Sequence, residues 1–483
     1  MHDLPDQFPS DTLEPGTHLL GLSLPMQGLA RLSDLFIAHG LEVGDDCILI
    51  TTDRGAGDVL QTIQELAADP VLERFVIVDA TGQEYEGESP CQIESVGSPG
   101  DLTGIGIGLT KAIDALEPDP GEFRVTVDSV SSLLVHAGFD RVYQFMHMVV
   151  NRIGSRGGTG ISLLAADTDA SEVSQFEGLI DGVIDVRSGD DGGEYRVRGA
   201  TGTGDWYPID DTKSTQPTSD RSAAKAPTDD IDVEVPRSFS AFIESVNSRG
   251  LTLTICNPDT AIDDQFTDYF DRHNVGVRSA DLTTETPRGA AILHRDAEPI
   301  AMSSIENLRA AITLESTESL QDPALKRPAV LRHVHRNEFS VANGSRIELT
   351  RISRLIEGRA LETGRGALHT GFQRLQRIDD DIGTQAFYEA IGATDVIVHV
   401  YGASADIPDG AADVVHTAED GELLDSWFVV YDGGGDPDKM AALVCEEIAP
   451  GEYSGVWSYK PADVIAVFEY LETTYGEQPV TAD

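Results

Sequence analysis

Short apolar runs alternate with helically spaced apolar positions through the first two hundred residues. Runs at 18–22, 47–51, 75–79, 123–127 and 161–165 are too short for helices and too continuous for a half-exposed sheet. They predict strands covered on both faces. Between the last two, Val142, Phe145, Met146, Val149, Val150 and Ile153 recur at i, i+3, i+4, i+7, i+8 and i+11. This spacing predicts a helix over 141–153 with one stripe toward a core, in which Met146 and Met148 are filling. Strands and helices in alternation signal α/β layering.

The second half has the same mixed character. Strands are expected at 251–256, 395–401 and 426–431, and helices at 264–272, 346–362 and 462–475. Gly364 stops the second of these helices. Paired runs at 290–294 and 299–302, and at 445–449 and 455–459, read as hairpins. Between the halves, residues 208–236 are rich in Pro, Ser, Thr and Asp and poor in large apolar side chains. That composition cannot offset its ordering entropy, so a flexible linker is expected between domains at 1–207 and 237–475.

Charge narrows the setting. The 483 residues carry 83 acidic against 34 basic side chains, a formal −49, and only six of the basic residues are lysine. The acid is spread along the chain rather than gathered in a tail. In molar salt the Debye length falls to roughly 3 Å, so self-repulsion is screened while carboxylates keep the surface hydrated. The chain reads as a cytoplasmic protein of a salt-accumulating halophile. Such a charge argues against nucleic acid as a partner, which needs clustered Lys and Arg, and equally against anionic membranes. The start has neither a basic stretch nor an apolar core, so no signal peptide is expected. No run of 18 apolar residues occurs. Cys47, Cys91, Cys256 and Cys445 form no CxxC, which supports neither a disulfide framework nor a zinc site.

After the first strand comes Ser23-Leu24-Pro25-Met26-Gln27-Gly28-Leu29-Ala30, then helix-like sequence from Arg31. A working phosphate loop needs Gly at 23, Lys at 29 and Ser or Thr at 30; of its motif only Gly28 remains. The run 123–127 ends in Asp128-Ser129-Val130-Ser131, a carboxylate where an NTPase places its Mg²⁺-organising Asp. With the helix 141–153 and the strand after it, this segment resembles the second nucleotide motif of the RecA superfamily, especially its KaiC-like branch, over residues 16–200. The resemblance implies a RecA-like layered domain with a nucleotide site at Gly28, Arg31 and Asp128. Leu29 in place of Lys implies ATP binding without hydrolysis at most, and no catalytic residue is expected. Asp53, in Thr51-Thr52-Asp53-Arg54, is the nearest candidate to activate water. Gly104-Ile105-Gly106-Ile107-Gly108 fits no nucleotide fingerprint and reads as a turn into a helix.

Three stretches of the second half (362–375, 425–430 and 451–459) resemble the DICT sensory domain, which accompanies signalling modules. That resemblance implies a signal-input or relay domain. Within 364–375, three glycines beside Arg365, His369, Gln373 and Arg374 suggest a loop where amides and guanidinium groups approach an anion. Trp427, Tyr453, Trp457 and Tyr459 are expected in a core. His333 and His335 make a poor metal site, and His399 and His416 have no partner the sequence identifies. The expected protein is a non-catalytic signal sensor or relay that meets signalling proteins or a small anionic ligand. The rivals are an interaction adaptor and a divergent ATPase working as a homo-oligomer.

Overall fold

The computed structural model describes residues 2–3, 12–23, 27–83, 85, 87–118, 122–165, 168–189, 192–199, 206–208, 233–258, 262, 264–280, 289–295, 298–313, 328–334, 338–374, 384–403, 412–417 and 421–476. Most of the expected linker, 209–232, lies outside them, as does His335. The chain divides into two units: Met1–Thr215 with Glu306–Arg332, and Gln216–Ile305 with His333–Asp483. Both are α/β.

The first unit is a layered α/β domain. Its elements are β1 (His18–Ser23), α1 (Gln27–Val43), β2 (Asp46–Thr51), α2 (Ala56–Leu66), β3 (Phe75–Asp79), β4 (Gln92–Ser95), α3 (Leu102–Leu116), β5 (Phe123–Asp128), α4 (Val130–Ala137), α5 (Phe139–Ser155), β6 (Thr159–Ala165), α6 (Ala170–Glu177), β7 (Gly182–Gly189), β8 (Gly192–Gly199) and β9 (Tyr207–Pro208). The strands form one sheet in the order β9-β8-β7-β1-β6-β5-β2-β3-β4. It is parallel from β7 to β4, with β8 and β9 added antiparallel. Alternate residues serve two cores. Leu20, Ile48, Val76 and Val125 pack with Leu109 of α3 and Phe145 of α5. Leu19, Leu49, Ile77 and Leu163 pack with Phe36 of α1 and Ile63 of α2. Helices on both faces explain why the strands read as unbroken apolar runs.

Two local expectations are corrected. The first helix begins at Gln27, so Gly28 lies in its opening turn and not in a loop before Arg31. The glycines 104, 106 and 108 are inside α3 rather than leading into it, and Asp101 caps that helix by accepting from the Gly104 amide. They serve close packing: a Cβ at Gly108 would stand 2.8 Å from Val78.

The second unit holds two sheets. One comprises β10 (Leu251–Cys256), β11 (Val275–Ala280), β12 (Ala290–Arg295) and β13 (Glu298–Ser304), in the order β11-β10-β12-β13. The other comprises β14 (Glu338–Ser345), β15 (Arg365–Arg374), β16 (Asp395–Ala403), β17 (Val414–Thr417), β18 (Ser426–Tyr431), β19 (Ala441–Ala449) and β20 (Glu452–Ser458), in the order β14-β20-β19-β18-β15-β16-β17. Helices α7 (Phe239–Ser248), α8 (Asp264–Arg272), α9 (Arg346–Thr363), α10 (Thr384–Gly392), α11 (Glu422–Asp425) and α12 (Pro461–Tyr475) complete it. Phe239 and Phe242 of α7 and Val464, Val467 and Leu471 of α12 pack on Phe428, Val430 and Val444. Trp427, one residue out of phase, donates instead to Ser353 Oγ on α9 at 2.9 Å. Trp427, Tyr453 and Trp457 are buried, as expected of strand aromatics. The stretch expected as a glycine loop is β15, part of a strand, and this is a further correction. Gly371 is there because a Cβ would stand 2.3 Å from the Phe428 ring. Gly364 ends α9 in the left-handed conformation that glycine adopts without penalty.

Candidate functional site

The carboxyl ends of β2 and β5 lie side by side, with Thr51 opposite Asp128. Past β2 the Thr51 hydroxyl donates to the Arg54 carbonyl at 2.6 Å, closing a tight turn over 51–54. Across the gap the Thr52 amide donates to the Asp128 carbonyl at 2.7 Å. The Thr52 hydroxyl donates to the Ser129 carbonyl at 3.1 Å and accepts from the Ser129 amide at 2.7 Å. These bonds tie the two strand ends together and fix the direction of the next side chains.

Arg54 is the result. Its Nε and Nη2 both donate to Asp128 Oδ2, at 3.0 and 2.6 Å. Its Nη1 and Nη2 reach Asp34 Oδ2 and Oδ1 at 2.8 Å each, a two-point grip on a carboxylate of α1. Asp34 is 2% exposed and Asp128 5%. Two buried carboxylates therefore share one guanidinium, and the planar fork suits that task better than an ammonium. Burial pushes the Asp34 carboxyl above its ordinary value; Arg54 opposes this by charge and hydrogen bond, and the Asp128 charge adds to it. Asp53, the sequence candidate for water activation, accepts from the Ser129 hydroxyl at 3.1 Å. Asp79, at the end of β3, accepts from the Ala56 amide at 2.8 Å and so caps α2, whose own N-cap is a glycine without a side chain. Burial raises the Asp79 carboxyl, against its bonds to Thr81.

The expected nucleotide residues are thus arranged unequally. Arg31 lies on α1 near enough to Asp34 to pull its pKa down, with its Nε buried and unbonded among the described residues. Gly28 is helical, and nothing is described of residues 24–26. Asp128, expected to organise Mg²⁺, is engaged by Arg54, a residue the sequence reading passed over beside Asp53. Arg54 is 20 residues from Asp34 and 74 from Asp128, so no spacing rule connects them. The available signal was a basic residue three positions past a strand end in a chain with few of them.

The described members of the second group lie along β15 and bond different partners. Arg365 Nε donates to the Gly434 carbonyl at 2.9 Å, His369 Nδ1 bonds the Tyr401 hydroxyl at 2.7 Å, and Gln373 Nε2 donates to Glu447 at 3.1 Å. The Arg374 side chain is not among the described ones. All four cysteines are free and buried. Among the described residues no group of three or more His, Cys, Asp or Glu is placed to hold a metal ion, and no helix is long and apolar enough to cross a membrane.

Residues 26–186 match a family of unknown function, DUF7504. That span contains Asp34, Arg54 and Asp128. Among solved structures, a KaiC-like protein of the hyperthermophilic archaeon Pyrococcus horikoshii is 16% identical, over 41% of this chain and 86% of that one, with a TM-score of 0.31. An uncharacterised protein of the same organism, solved with an unknown peptide, is 13% identical over 40% and 86%, also at 0.31. Neither likeness bears on activity or ligand. No curated protein matches the chain.

Proposed function

We propose that the first unit is a non-catalytic scaffold in which Arg54 stands where a nucleotide enzyme would hold its metal. The observation that carries this reading is the double engagement of Arg54 with Asp34 and Asp128. A hard divalent cation needs free carboxylate lone pairs, and here a tethered cation already engages both Asp34 oxygens and Asp128 Oδ2. Leu29 and Ala30, in place of the phosphate-binding Lys and the Mg²⁺-binding hydroxyl, support the same reading. The protein then acts by contact: a cytoplasmic sensor or relay, in which a DICT-like second unit takes a stimulus and presents it to signalling proteins. The stimulus is a small anionic ligand or a partner surface that binds two states with different affinity. The excess of acid supports a setting of concentrated salt.

The test is thermal unfolding in molar KCl with and without ATP and Mg²⁺. This reading expects no Mg²⁺-dependent stabilisation. Stabilisation that disappears in Asp128→Asn would show a working metal–nucleotide site at Asp128 and overturn it.

A further inference from the structure

Three imidazoles and a phenol lie ring to ring at one margin of the seven-stranded sheet. His369 on β15 is paired with His399 on β16, and Tyr401 on β16 with His416 on β17. Residues 399 and 401 share a face because side chains alternate along a strand. The His369 and His399 rings stack at 4.2 Å and 7°, and those of Tyr401 and His416 at 4.2 Å and 6°. His399 and His416 are 5.4 Å apart at 13°. The last helix, α12, closes over them: Phe468 meets His369 edge-on at 4.6 Å, and the Tyr475 carbonyl is 3.1 Å from His416 Nδ1.

The hydrogen bonds have one possible direction. A carbonyl only accepts, so His416 Nδ1 carries the proton. In the neutral ring Nε2 is then an acceptor, and His399 Nδ1, 3.2 Å away, must donate to it. The chain from His399 through His416 to the end of α12 needs one proton, and only one, between the two facing nitrogens; a single added proton reverses that bond. Protons on both His399 Nδ1 and His416 Nε2 would set N–H against N–H. His369 Nε2 is buried without a partner among the described residues, so a charged His369 would bury an unsatisfied donor.

We propose that the His369–His399–His416 stack is an acid-released latch for the C-terminal helix, seating it when the rings are neutral and ejecting it when they are charged.

Burial holds His369 well below the ordinary imidazole value, with His399 and His416 adding to the effect. His399 is brought to about 4 by burial and then by His416, with Asp413 opposing. His416 is lowered by burial, against the Tyr475 carbonyl. From α12, Glu472 faces Tyr401. From α11, Glu422 accepts from the hydroxyls of Tyr470 and Tyr475. The lowered values set the sign. Rings relieved of burial by the release of α12 move back toward the ordinary imidazole value, so the open state binds more protons as pH falls and the latch weakens. For His399 alone, values of 6.5 open and about 4 closed raise the opening constant roughly 60-fold from pH 7 to pH 4.5. Release would bare Val464, Val467 and Leu471, an apolar face able to meet a partner.

The test is amide hydrogen exchange of 461–475 in molar KCl, expressed as protection factors at pH 7 and 4.5. Wild type should lose about 60-fold in protection of this helix, while His399→Phe/His416→Phe, which keeps the rings and removes two of the three titrating groups, should lose far less. Unchanged wild-type protection, or an equal loss in the variant, overturns the latch. A ring-carbon NMR titration of the wild type decides the matter if the variant misfolds. His399 and His416 must titrate together with helix opening; independent titration near 6.5 with the helix still protected overturns the proposal.

Discussion

Replacing Arg54 by Met keeps most of the side-chain volume and removes the charge. Asp34 and Asp128, both nearly inaccessible to solvent, would be left without their shared cation. Breaking a buried ion pair by removing one partner costs about 3–5 kcal/mol. For a unit of this size 1 kcal/mol moves Tm by roughly 2–4 °C, so the first unit should melt about 6–20 °C lower at neutral pH. The loss should shrink in acid. Without Arg54 a carboxyl in this site has a folded-state pKa well above its unfolded value, so its cost is full above that pKa and is lost as pH falls from it to the unfolded value. Burial already raises Asp34 in the wild type. Millimolar Mg²⁺ should restore part of the Tm in Arg54→Met and leave wild type unchanged. Differential scanning calorimetry in molar KCl, from neutral to mildly acid pH, measures all three effects. A Tm within 2 °C of wild type at every pH would refute the reasoning, because two buried carboxylates cannot share a site uncompensated.

Other changes should behave differently. Asp34→Asn leaves one guanidinium with one carboxylate and removes a desolvated charge, so its Tm should stay within about 4 °C of wild type in the same calorimetry. Gly371→Ala drives a methyl toward the Phe428 ring, whose nearest atom would be 2.3 Å away; urea unfolding of the second unit should report a loss of about 1–3 kcal/mol. Dilution from molar KCl to about 0.01 M lengthens the Debye screening distance to roughly 30 Å. At −49 the chain should then lose near-UV circular dichroism, and an unchanged spectrum would contradict the halophilic reading.

Strands buried on both faces were the most legible elements, because covering the sheet on both sides leaves little room for polar residues in positions such as Phe75–Asp79. The stop at Gly364 was legible too, since only a left-handed residue ends α9 there. Glycines misled twice. In α3 and β15 they answer to neighbours far along the chain, Val78 and Phe428, and not to local turn chemistry. The site was half visible. Asp128 follows from a strand ending in a carboxylate, whereas its bond to Arg54 depends on the pairing of β2 with β5, which no local pattern encodes. His399 and His416, without a legible partner in the sequence, bond each other because β16 and β17 are adjacent.

Phosphate release from ATP by purified wild-type protein, with Mg²⁺ in molar KCl, bears most directly on whether Arg54 has closed the site. The account predicts a rate no higher than that of Asp128→Asn. Steady turnover by wild type that the variant lacks would show Asp128 still at work on a metal and contradict it.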